Sequence, residues 1–128
     1  MKHDTSFWKA MIDLLTTYVI IVDRPKGSTH PRYEKAVYPL DYGYLENTTS
    51  SDGSGIDVWI DSLNSVMDKQ GTKTLTGILC TFDTLKRDAE NKLMIGCTDE
   101  DIQVIRDFHN EMYTLYISNP MVEDDLPN

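Results

Sequence analysis

A chain of 128 residues with 40% apolar and 26% charged side chains is one domain's worth of ordinary globular composition, with room for a modest core. Its formal net charge of −9 excludes the clustered Lys and Arg needed to grip a nucleic-acid backbone or an anionic membrane. No run approaches the ~20 apolar residues of a membrane span, and Lys2-His3-Asp4 leads into an amphipathic stretch, not the apolar core of a secretion signal, so the expectation is a soluble cytoplasmic protein.

Phe7, Met11, Leu14 and Leu15 fall at helical spacing and predict a helix over about 6–17, with Thr5 or Ser6 as N-cap. The β-branched run YVIIVD predicts a strand over 18–23, broken by Pro25, Gly27 and Pro31. The Tyr-rich stretch from Arg32 to Gly55 reads as loop, bent at Pro39 and Gly43. IDVWI (56–60) alternates: Ile56, Val58 and Ile60 face one way, Asp57 and Trp59 the other. SVMDKQGTK reads as a polar connection turning at Gly71. TLTGILCTF (74–82) and KLMIGC (92–97) predict strands joined by the charged loop DTLKRDAEN. Cys80 and Cys97 lie in these two runs with no zinc-like spacing and read as reduced core thiols. Thr98 caps a second helix, with Asp101 completing a capping box and Ile102, Ile105, Phe108 or His109, and Met112 as its apolar stripe. From about 118 the chain reads as a frayed, acidic tail. The sum is a β-rich α+β domain, a curled sheet or barrel with a helix at each end.

The stretch SDGSGIDVWIDS places Asp52 and Asp57 around a tight glycine turn. An EF-hand does not fit: with Gly55 at the obligatory glycine, Ser50 takes the first ligand position and Asp61 the bidentate Glu position. As a bare turn, Asp52-Gly53-Ser54-Gly55 needs no ligand. However, Asp57 shares its strand face with Trp59, and Asp23, Glu34, Asp83 and Asp88 sit at comparable element ends. Carboxylates brought together repel and raise one another's pKa unless cations separate them, and hard oxygen donors suit Mg²⁺, Mn²⁺ or Ca²⁺.

The stretch IIVDRPKGSTHPRYEKAVYPLDYGYLENTTSSDGSGIDVWI resembles the core of the soluble family I inorganic pyrophosphatases. An acidic residue and a proline follow the first strand, then a basic-Tyr-Glu triplet, Y-P-x-x-Y-G-[FY], N-T, and a form of D-G-D-P-[hydrophobic]-D-V. GILCTFDTLKRDAENKLMIG is similar to that family's next segment, with the same five-residue step from Asp83 to Asp88. The resemblance covers about residues 18–97 and implies one domain over 1–128: a small OB-like five-stranded barrel with an N-terminal and a C-terminal helix. It implies an active site of carboxylates holding several Mg²⁺ ions, with Mn²⁺ as a substitute. Asp52, Asp57 and Asp88 would hold the first ion, Asp57 reaching a second, Asp83 and Asp88 a third, and Asp23 and Glu34 would lie near a fourth through water. Asp57, Tyr42 and Asp52 fall on catalytic positions; Arg32 and Tyr38 fall on substrate-binding ones. Pyrophosphate or a related phosphoanhydride is the implied partner, and a homo-oligomer is in keeping with the family.

The departures fall on catalysis and phosphate binding. The middle Asp of D-G-D-P, the family's general base, is Ser54, and the Pro is Gly55. The phosphate-binding lysine after the second loop Asp falls on Glu90; Lys92, two residues on, would reach that place from a longer loop, with Lys86 or Arg87 as substitutes. The family's C-terminal Tyr-Lys pair falls near His109-Asn110, and only Lys35, Ala36 and Val37 stand where a longer hairpin carries a phosphate-binding arginine. Metal activation alone can generate a hydroxide near neutral pH, and Asp41, Asp52 or Asp57 could relay the proton. Two readings follow: a Mg²⁺-dependent pyrophosphatase, or a non-catalytic divalent-metal and phosphate-binding module on a degenerate pyrophosphatase fold.

Overall fold

The helix α1 (Asp4–Thr17) begins two residues before its expected start, with Phe7 N donating to His3 O at 2.9 Å. His3 contributes no side-chain cap; Asp4 in the first turn instead complements the positive end of the helix dipole. Thr16 and Thr17 close the other end by donating their hydroxyls to Asp13 O. The computed structural model describes residues 3–62 and 74–124, so the turn expected at Gly71 lies outside the described residues.

Six strands follow: β1 (Ile20–Arg24), β2 (Tyr42–Leu45), β3 (Ile56–Ile60), β4 (Leu75–Asp83), β5 (Asp88–Ile95) and β6 (Tyr113–Ser118). The helix α2 (Asp99–Phe108) stands between β5 and β6, and a short helix α3 (Pro120–Asp124) follows β6. The strands form one sheet in the order β1-β2-β3-β5-β4-β6, antiparallel throughout except where β3 runs parallel to β5. This corrects the expected five-stranded barrel. Among the described residues the sheet has six strands and stays open, with β1 and β6 as its two edges. The segment between β1 and β2 does not help to close it. It carries Pro25, Pro31 and Pro39, which lack the N–H a ladder needs, and makes a single bridge, Thr29 to Val37.

Three further expectations shift. YGYL, read as loop, is β2, and Gly43 makes that possible: a Cβ there would land on the Ile21 carbonyl of β1. The strand expected from residue 92 begins at Asp88, so the loop shrinks to a tight turn with Arg87 at φ 54°. The segment expected to fray is anchored by Asn119, which is 2% exposed, donates Nδ2 to Leu75 O at 2.8 Å and accepts from Met121 N at 3.0 Å. The predicted capping box at Thr98 and Asp101 is present.

Strand alternation sorts the core into two layers. On one face Leu15 and Trp8 of α1 pack on Leu45, Val58, Ile60, Leu75, Leu93 and Ile95. On the other, Ile102 and Ile105 of α2 pack with Tyr38 and Leu40 on Trp59, Leu79 and Met94. Each such fully buried side chain contributes roughly 1.5–3 kcal/mol. α2 covers only one end of its face, and the rest of that face is open.

Candidate active site

Tyr42 pairs with Trp59, Tyr44 with Asp57, Thr81 with Glu90, and Asp83 with Asp88. Cross-strand partners point to the same side of a sheet, so the uncovered face is a carpet of tyrosines and carboxylates. It floors an open cavity of about 1360 Å³. Asp23, Asp52, Asp57, Asp83 and Asp88 all line it, as do Arg32, Tyr38, Tyr42 and Lys92. Residues from five separated segments that the sequence nominated therefore share one space. Glu34 is the exception: it is exposed on the 25–41 loop and does not line the cavity. Asp41 also lies off it, accepting from Lys26 N at 2.7 Å.

Lys92 sits at the centre of the floor, 4% exposed. Its ammonium donates to Tyr42 Oη at 2.8 Å, Glu90 Oε2 at 3.0 Å and Asp57 Oδ2 at 3.2 Å, which uses all three of its N–H groups. Tyr42 is in turn hydrogen-bonded to Asp57, closing a ring of Lys92, Tyr42 and Asp57. Burial alone would lower the lysine pKa, but the facing oxygens of Tyr42, Asp57 and Glu90 outweigh it and hold the ammonium charged, above its ordinary range. Burial raises the Tyr42 hydroxyl, so it remains a donor, and lifts the Asp57 carboxyl against the pull of Lys92.

The other carboxylates are pre-set by their backbones. Asp52 Oδ1 accepts from Ser50 Oγ at 2.6 Å and Ser54 N at 2.9 Å, and these bonds hold its carboxyl below the usual range. Asp83 Oδ1 accepts from Leu85 N and Lys86 N, shaping the β4–β5 turn. Asp88 is pushed up by the neighbouring Glu90, with Asp52 adding to it. Gly55, where the similar family has proline, is dictated by packing: a Cβ would approach Leu45 O and Tyr44 Cδ2 at 2.8 Å. Among the described residues no three His, Cys, Asp or Glu side chains are close enough together to hold one metal ion.

The far wall is aromatic. Trp59 stands edge-on to Tyr42, Phe108 and His109, with centroids 4.7, 5.5 and 5.8 Å away. Burial depresses His109 to about 3, with a small push from Lys92, so its ring is neutral. The unfolded chain takes up a proton as pH falls through 6.5 while the folded chain does not. The stabilisation from His109 is thus complete above about 6.5 and lost as pH drops toward 3. Chemical denaturation at pH 8 and pH 5 is expected to show a loss of about 2 kcal/mol that His109→Gln removes; an equal loss in the variant would refute the assignment. Cys97 is a buried thiol raised to about 12 and chemically quiet, as expected.

Sequence reasoning missed Glu90 as a partner of Lys92 and the rim cations Arg24 and Lys35. The 88-90-92 alternation was the available signal for Glu90; nothing local marks the other two. No family model matches the chain, and no curated protein is significantly similar to it. No helix among the described residues is long and apolar enough to cross a membrane.

Proposed function

We propose that the cavity is the active site of a divalent-cation-dependent phosphohydrolase. Its substrate is a phosphoanhydride, and inorganic pyrophosphate, hydrolysed to phosphate, is the particular substrate the residues favour. The observation that carries this reading is the gathering of Asp52, Asp57, Asp83 and Asp88 on one open cavity that also presents Arg32, Tyr38 and Tyr42.

The donor set suits Mg²⁺ or Mn²⁺ held by one or two carboxylates at a time, with water and substrate phosphate as the other ligands, since among the described residues no three such side chains converge. All the donors are hard carboxylate oxygens, Asp88 is raised by the crowding of Glu90 and Asp52, and the bonds to Asp52 and Asp83 employ only Oδ1, leaving Oδ2 for another ligand. Asp52, Asp57, Asp83 and Asp88 would hold the ions, which supply charge neutralisation at phosphate and a bound water of lowered pKa.

The chain's own groups do the positioning. Lys92 fixes Asp57 and Tyr42 without reaching the substrate itself, since its donors are spent. The Tyr42 hydroxyl, bonded to Asp57 and to Lys92, marks the protonated side of the floor. Ser54 lines the cavity but cannot accept a proton near neutral pH, so Asp57 takes the proton of the attacking water. Asp57→Asn is expected to cut Mg²⁺-dependent phosphate release from pyrophosphate by about a hundredfold or more while the fold persists by circular dichroism. A variant as fast as the wild type would refute the reading.

A further inference from the structure

Five of the chain's twelve Lys and Arg side chains line this one cavity, alongside eight of its twenty-one Asp and Glu. One of them, Lys92, is consumed by the floor. Three others come from separate elements: Arg24 from the end of β1, Arg32 from the 25–41 loop, and Lys86 from the β4–β5 turn. All three line the cavity with His30, whose pKa is lowered first by burial and then by the charges of Arg24, Lys86 and Arg32. His30 Nδ1 accepts from Arg32 N at 3.0 Å, which leaves Nε2–H as a neutral donor. Arg24 Nη1 donates to Asp23 O at 3.1 Å and lies 3.8 Å from the Asp23 carboxylate, whereas Arg32 and Lys86 have no ion-pair partner among the described residues. A bound anion at the rim would supply Arg32 and Lys86 with that partner.

This rim lies on the same cavity as the carboxylate floor and interleaves with it: Arg24 follows Asp23, and Lys86 stands in the turn between Asp83 and Asp88. A cavity of about 1360 Å³ exceeds the roughly 300–1,000 Å³ that accommodates drug-sized ligands, so it has room for more than pyrophosphate and its cations. We infer that Arg24, Arg32, Lys86 and His30 form a second anion subsite that takes the terminal phosphate of a phosphoanhydride chain of three or more phosphates, the anhydride to be cleaved lying at the carboxylate floor. The inference rests on the hydrolase reading for its orientation. The shared chemistry is a triphosphate tail, whether inorganic tripolyphosphate or that of a nucleoside triphosphate.

The test separates binding from turnover. Calorimetry with Mg²⁺ and the non-hydrolysable methylene analogues of pyrophosphate, tripolyphosphate and adenosine triphosphate measures affinity; phosphate release from the natural compounds measures cleavage. The tripolyphosphate analogue is expected to bind wild type at least about tenfold tighter than the pyrophosphate analogue, as one added charge-assisted contact would give. Most of that preference should vanish in Lys86→Gln and in Arg24→Gln, persist in Lys86→Arg, and shrink with added salt. Parallel behaviour of the adenosine analogue means the tail itself is recognised; a preference for the inorganic chain alone keeps the subsite and excludes the nucleoside. Equal affinities in the wild type, or a preference that survives both Gln variants, overturns the subsite even where pyrophosphate is hydrolysed. A preference lost in Lys86→Gln without turnover of any compound supports the subsite and instead sinks the hydrolase reading.

Discussion

Ser54→Asp is expected to accelerate phosphate release from pyrophosphate by about 10²–10⁴-fold, the usual worth of a well-placed general base. The turn is built to accept the change. Ser54 is exposed at the cavity, and its bonds to the rest of the turn are all made by its backbone: its N–H donates to Asp52 and its carbonyl accepts from Ser50 N and Ser50 Oγ. A carboxylate at this position therefore meets no packed neighbour and breaks no bond. It does add a negative charge beside Asp52, so the gain should require higher Mg²⁺ than the wild type needs. Initial rates across a Mg²⁺ series check both points. A rate that stays flat or falls at every Mg²⁺ concentration would show that the proton leaves by a route in which position 54 has no part.

Lys92→Met is expected to cost on the order of 3–5 kcal/mol of stability, because it removes one member of a buried charge network and strands the rest. Methionine matches the lysine stem in length and flexibility, so cavity formation contributes little. The loss is electrostatic: Asp57 and Glu90 lose their shared cation and Tyr42 its donor. Urea denaturation measures it. If these carboxylates face a divalent-cation site, millimolar Mg²⁺ should return part of the loss in the variant, since an ion that binds only the folded chain stabilises it. A variant as stable as wild type in chelator would mean that the Lys92 ring is decorative. A loss unaffected by Mg²⁺ would argue that Lys92 substitutes for a cation the cavity never binds.

Much of this arrangement is legible locally. The alternation in IDVWI placed Asp57 with Trp59, and both are on the cavity face. The Thr98 and Asp101 capping box follows from hydrogen-bonding groups three residues apart. What failed is non-local. β2 looked like a loop because Pro39 and Gly43 are breakers by composition, yet Gly43 is present so that β1 can approach its backbone. β6 carries exposed Tyr113, Leu115 and Ile117 on one face, and its short run gave no strand pattern distinct from the end of α2. The barrel expectation depended on similarity, and the proline-broken 25–41 segment leaves the sheet open. For the site, residue types and spacings nominated the carboxylates, but that Lys92 is buried against Glu90, Tyr42 and Asp57 depends on residues up to 50 positions apart.

The central claim is that the cavity hydrolyses a phosphoanhydride with the help of divalent cations. The most direct measurement is phosphate release from pyrophosphate by the wild-type chain over a Mg²⁺ series, with a chelator as the zero point. The account predicts a rate that rises saturably with Mg²⁺, returns with Mn²⁺ after chelation, and vanishes without either. No phosphate release at any Mg²⁺ or Mn²⁺ concentration would contradict it and leave the carboxylates and Lys92 as a binding floor without chemistry.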